Sequence, residues 1–275
     1  MKIKLLLSII LLLTSSISYS QINLEHIADS LLKEGNRIYR LEKSVWISTE
    51  LIVVENSKRY LRKKIEGNIS YKIGDTIKAI FWGMNDDKLV IKNTYNFSNS
   101  NMLERISYNK IERSPSELER KLINVKKKLL LEIEQKIQDY YKPYDTEYNL
   151  ILSESGTGYR AYLIIGQKKK KIVPLGNDYH LELDEDGNII EKNRLHNSYL
   201  KTPFTHSGHP GYTIESVIHT HMADFPFISV TDICSAMLYS EFISWSEMET
   251  FSEYISTYNL KENTLKIELY KRKKE

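Results

Sequence analysis

The chain has 275 residues, room for one large domain or two modest ones, and its 41% hydrophobic and 27% charged residues are an ordinary globular balance. A formal charge of +3 argues against nucleic acid as the main partner. A single cysteine, Cys234, excludes an internal disulfide and a thiolate metal cluster.

The first twenty residues have the form of a secretory leader. Lys2 and Lys4 make a basic start, "LLLSIILLL" (5–13) is a short apolar run, and "SYS" (18–20) sets small residues before a cut at Gln21. The run is too short to span a bilayer, and no cysteine stands at the cut to carry a lipid. Removing Lys2 and Lys4 lowers the formal charge from +3 to +1. These features predict a secreted or periplasmic protein without stable membrane insertion. The basic runs at 62–64, 126–128, 168–171 and 271–274 have no interleaved aromatic residues and are read as solvated faces and hairpin tips.

From residue 21 to 113 the pattern predicts an N-terminal α+β unit. A short helix over 23–35 is capped by Asn23 and ended by Gly35. Strand-like runs follow at 45–54, 67–73, 76–84 and 88–97, rich in β-branched and aromatic residues. A long helix over 114–141 is the clearest element. Ser114 caps it, Pro115 suits its first turn, Glu117 completes a capping box, and Pro143 stops it. Strands return at 148–154, 159–166, 171–176, 179–184 and 189–196, with "DEDGN" (184–188) as a hairpin turn rather than a calcium loop. A glycine- and proline-bearing loop (201–211) leads to a strand over 212–221, a helix from Ser229 to about Tyr239, and strands near 242–248, 250–256 and 264–270. The order of elements fits an α+β fold rather than a doubly wound sheet.

The densest chemistry lies in "HTHMADFPFISVTD" (219–232). On a strand His219 and His221 face the same way. A carboxylate from the following helix, Asp232, completes three protein ligands for zinc and leaves a position for water. Ser229 stands one turn before Asp232, where it can donate to a developing oxyanion. The same serine and aspartate also read as a plain capping box. His206 and His209, in the loop before the strand, offer a second set of imidazoles, and His196 lies close to the same sheet end in sequence without a motif around it.

His219-x-His221, seven residues, Ser229, two residues, Asp232 resembles the JAMM motif of MPN-domain metalloproteases. The resemblance implies an MPN-like mixed sheet over 114–275 and zinc on His219, His221 and Asp232. It also implies Ser229 beside the oxyanion, and a peptide or protein substrate cut at a peptide or isopeptide bond. The family's general base is an upstream glutamate. Tyr159 and Arg160 stand in its place, and Glu154 is the nearest acid. The alternative is a non-catalytic MPN-like binding or assembly module of the cell envelope. Buried on a helix face, Cys234 would be a packing residue, not a nucleophile.

Overall fold

The computed structural model describes residues 23–55, 65–100, 102–140, 146–167, 171–205 and 213–270. The leader, His206, His209, Pro143, and the basic residues 62–64, 168–170 and 271–274 lie outside the described residues. Within them the chain is α+β, with helices set against antiparallel and mixed sheets.

The first helix differs from the expectation. Asn23 caps it, its side chain accepting from the His26 amide at 3.0 Å, but α1 runs over Leu24–Glu55, 32 residues. The segment 45–54, expected as a strand, is its C-terminal part. Its β-branched residues favour strands only weakly, whereas Ile38, Leu41, Val45, Ser48 and Ile52 recur every three or four positions and turn one stripe inward. Gly35 does not end the helix. It sits where α1 crosses α3 (Val230–Tyr239), and a Cβ added there would lie 2.7 Å from Ile233 Cγ2. Glycine serves a close helix–helix approach at this point, and that approach fixes α3 beneath α1.

Strands β1 (Gly67–Ile73), β2 (Thr76–Asn85), β3 (Lys88–Ser98) and β4 (Arg105–Asn109) form an antiparallel sheet in sequence order. The second helix, α2 (Glu117–Gln135), starts later than expected. "SPSELE" contains two overlapping S-x-x-E patterns, and Ser116 with Glu119 makes the capping box instead of Ser114 with Glu117. The choice follows from what Glu119 meets. Its buried carboxylate accepts from Arg113 at 2.6 and 2.7 Å, from the Ser116 amide at 2.7 Å and from the Tyr71 hydroxyl at 2.8 Å.

Beyond α2, β5 (Thr146–Ser155), β6 (Gly158–Gln167), β8 (Tyr179–Leu183) and β9 (Ile189–Arg194) form an antiparallel sheet in that order. Strands β7 (Ile172–Gly176) and β10 (Tyr199–Pro203) pair separately. The last sheet runs β11 (Ser216–Thr220), β12 (Glu247–Phe251), β13 (Tyr254–Asn259), β14 (Thr264–Leu269), with β11 parallel to β12. One apolar core joins Ile38 and Leu41 of α1, Phe81 and Tyr95 of the first sheet, and Ile233, Met248 and Tyr258. A second holds Leu122, Ile123 and Leu129 of α2 against Leu152, Leu163 and Leu181. Each core draws residues from both sides of residue 114. No helix among the described residues is long and apolar enough to cross a membrane.

Two outcomes test this packing. Gly35→Ala gains about 1 kcal/mol of helix propensity but must push Ile233 aside. We expect a net loss of about 1–3 kcal/mol in denaturant unfolding. Unchanged or raised stability would show that the crossing is loose. Burial alone would raise the Glu119 pKa, but the Arg113, Ser116 and Tyr71 bonds outweigh it and hold it down to about 2 from 4.5. A depressed carboxyl stabilises the fold above its unfolded pKa, and this contribution is lost as pH falls from about 4.5 through 2. Arg113 is partly open to water, so Glu119→Gln should cost about 2 kcal/mol at pH 7. It should also flatten the acid side of the stability curve, read from urea midpoints at pH 7 and 3.

Candidate metal centre

His219 and His221 project from one side of β11 and its extension. His221 remains in the ladder, since its amide donates to the Phe251 carbonyl at 2.8 Å. The four residues Phe225–Ile228 bring the chain over to α3, whose N-cap is Ser229. The cap is reciprocal. Ser229 Oγ accepts from the Asp232 amide at 2.9 Å, and Asp232 Oδ2 accepts from the Ser229 amide at 3.1 Å. The capping box and the ligand position are therefore the same aspartate. Asp232 turns its carboxylate into the helix N-terminus, and that direction also faces the two histidines.

Four side chains meet there. The ligand atoms of His196, His219, His221 and Asp232 all lie within 4.8 Å of one another. His221 Nε2 is 3.1 Å from His219 Nε2, 3.1 Å from His196 Nε2 and 3.1 Å from Asp232 Oδ2. His196 Nε2 is 3.2 Å from Asp232 Oδ2, and His219 Nε2 is 3.4 Å from Oδ1. The Asp232 side chain is fully buried, that of His221 likewise, and His219 retains 13% exposure at the mouth.

The far nitrogens fix the tautomers. His221 Nδ1 lies 3.1 Å from the Phe225 carbonyl, which only accepts, so Nδ1 carries the proton and Nε2 presents a lone pair. His196 Nδ1 bonds the buried Asp178 carboxylate, so in the neutral imidazole Nε2 offers its lone pair to the cluster in the same way. Two imidazole lone pairs and a carboxylate at about 3 Å repel unless positive charge stands among them. A proton can bridge only one pair at a time, whereas a cation satisfies every donor. The electrostatics show the same demand for positive charge, which a proton on His196 meets when no cation is bound. Burial lowers the His196 pKa, but the Asp178 and Asp232 charges outweigh it and raise it to about 11. Burial likewise opposes ionisation of Asp232, and the charges of His196 and His219 outweigh it and hold its pKa well below the usual range. Asp232 Oδ1 is buried without a hydrogen bond, as is His219 Nδ1. Three imidazoles and one carboxylate, two of the imidazoles oriented by outer acceptors, are a donor set that fits a divalent transition metal such as zinc.

The sequence placed His219, His221 and Asp232 together, and the structure brings them together. His196 and Asp178 were missed as parts of the site. His196 follows β9 and Asp178 precedes β8, so pairing of those strands sets them side by side, a signal carried by strand register rather than by spacing. Ser229 is at the helix start as expected, but its hydroxyl lies 2.8 Å from Asp232 Oδ2 and 2.7 Å from Thr231 Oγ1 and is engaged in the cap. Glu154 is the correction. It lies on β5 opposite Tyr159, beside the β5–β6 turn, with an exposed side chain. Its carbonyl accepts from Arg37 at 2.9 Å, and it lines a cleft with Arg40 and Tyr71 that contains none of the four donors. The hairpin carries it away from the cluster, and the group of four contains no glutamate. Cys234 is fully buried with a raised pKa and is a packing residue.

Two clefts flank the donors. One of about 410 Å³ is lined by His196, His219 and His221 together with Leu175, Tyr199 and Ile218. Another of about 420 Å³ reaches Ser229 and is lined by Glu34, Arg160, Glu182 and Phe225. Comparison with protein-family models, with curated proteins and with solved structures yields no match.

The outer bond to His196 is testable apart from any activity. If His196 is one of the ligands, Asp178→Asn should weaken metal affinity by about 10–100-fold, measured by competition with a chelator, with the melting temperature as the control for folding; if His196 stands outside the coordination shell, the affinity should stay at the parent level. Unchanged affinity would mean that Asp178 does not orient His196 for a metal.

Proposed function

We propose that the protein is a zinc-dependent peptidase or amidase of JAMM type acting outside the cytoplasm. The observation that carries this reading is the meeting of His219, His221 and Asp232, at the motif's spacing, around one buried point. Those three residues would hold the metal. Bound zinc supplies Lewis acidity toward a scissile carbonyl and toward water.

The chain's own groups supply the rest. Asp232 is kept ionised and aimed by the Ser229 cap, and the Phe225 carbonyl and Asp178 keep His221 and His196 in fixed orientations. With Glu154 elsewhere, His196 is the group beside the ligands able to accept and return a proton at Nε2, with Asp178 holding Nδ1. The cleft at 175–222 gives a substrate access to His219, the most exposed of the donors.

A second reading rests on a specific distance. His196 Nε2 lies as near to His221 and Asp232 as those two lie to each other, so four protein donors could close the coordination shell. The site would then be structural and the protein a non-catalytic envelope module.

Metal analysis of the purified protein separates the two. Near-stoichiometric zinc in the parent, lost in His219→Ala and His221→Ala, is expected under both readings, and no zinc in the parent after reconstitution would sink both. Under the peptidase reading His196→Ala keeps its zinc and loses hydrolysis of a fluorogenic peptide mixture by about 100-fold or more. If His196→Ala instead loses zinc as completely as His219→Ala, the closed structural site is correct.

A further inference from the structure

The strand that carries the histidines is an edge. In the last sheet β11 pairs with β12 on one side, and among the described residues no strand pairs with the other. Alternation along a strand decides which backbone groups are left over. The Glu215 carbonyl accepts from the Ser246 amide and the His221 amide donates to Phe251, so the odd-numbered residues face β12. The N–H and C=O groups of Ser216, Ile218 and Thr220 therefore point outward from the sheet edge.

Ile218 and Thr220 both line the cleft that bears His196, His219 and His221. Ser216, Ile218 and Thr220 are exposed, Ile218 at 58%, and β11 has none of the usual protections of an edge: no proline, lysine or bulge. The opposite wall is formed by residues 175–176 and 195–200, leaving about 410 Å³ between. Unpaired donors and acceptors at the spacing of a strand are satisfied by another extended backbone.

We propose that the cleft binds an extended peptide segment, such as an unfolded tail or linker of a protein, which adds to β11 as a further strand and passes over the histidines. Backbone pairing with Ile218 and Thr220 supplies the register, and Leu175, Leu200 and Met222 give apolar contacts for alternate side chains. The substrate class is thereby narrowed from amides in general to extended polypeptide. Compact amides such as free dipeptides or acylated amino acids make too few of these bonds to be held. The inference rests on the reading of the cluster as a metal centre only for what happens to the docked chain, and docking itself is measured separately.

The test uses the purified full chain, reconstituted with zinc, and a lysine-flanked alternating Thr–Val hexapeptide labelled with fluorescein. Two isomers carry N-methyl groups on either the threonine or the valine amides, so only one set blocks the edge facing β11. Fluorescence anisotropy should show binding weakened about tenfold in one isomer and changed less than about twofold in the other. Ile218→Pro removes an outward N–H, at a position where an edge strand tolerates proline. It should weaken the unmethylated peptide about tenfold while zinc content stays at the parent level. Equal effects of the two methylation frames, or no peptide binding, would overturn the proposal. So would a parent that is dimeric through this edge and becomes monomeric on Ile218→Pro without binding peptide. Zinc content of the same samples reports on the metal reading independently: a zinc-free protein that still binds in a frame-dependent way loses the metal centre and keeps the docking edge.

Discussion

A fully buried carboxylate is the constraint around which the site is built. Taking Asp232 out of water is costly unless nearly every lone pair finds a partner and its charge is balanced. The Ser229 amide and hydroxyl meet one oxygen, the helix N-terminus favours the charge, and the imidazoles of His196, His219 and His221 crowd the remaining side. Oδ1 alone has no hydrogen bond. The cap that starts α3 and the gathering of the histidines are thus one interaction. Removing either part would leave the other with an uncompensated buried charge.

That interaction is held in place from a distance. α3 lies where it does because α1 crosses it at Gly35, with Ile233, the neighbour of Asp232, filling the space a side chain would take. α1 in turn spans both the first sheet and the last, touching β1 and β2 as well as β14. The β8–β9 pairing, which runs from Tyr179↔Arg194 to Leu183↔Ile189, sets Asp178 next to His196 just beyond its open end. The donors therefore come from three separate places: the end of one sheet, the edge strand of another, and a helix start. Such a site is only as rigid as the packing among those elements, which here is a continuous apolar core.

A donor set this buried, with one imidazole open at the mouth and an unpaired strand edge alongside, combines two properties. The donors are preorganised and shielded, which suits a tightly held ion. The edge is exposed and pairs with no other strand among the described residues, which suits a transient extended partner. Their adjacency is what supports the proposed reading of the cleft, since either feature alone is common in proteins that do no chemistry.

By itself the sequence determined many of the local features: most of the strands, though not β4 or β10, the amphipathic α2, the Ser229 start of α3, the α+β class, and the fact that His219, His221 and Asp232 come together. Each of these depends on neighbours within a dozen residues, through side-chain period or capping. The extent of α1 was misread because β-branched residues in 45–54 favour strands locally, while burial of one helical stripe in the apolar core decides the matter. Gly35 and the choice of Ser116 over Ser114 likewise turned on distant contacts, with Ile233 and with Arg113 and Tyr71. Only the tertiary structure recruited His196 and Asp178 and sent Glu154 to another cleft. Strand pairing and hairpin direction place such residues, and neither leaves a mark in the spacing of the residues themselves.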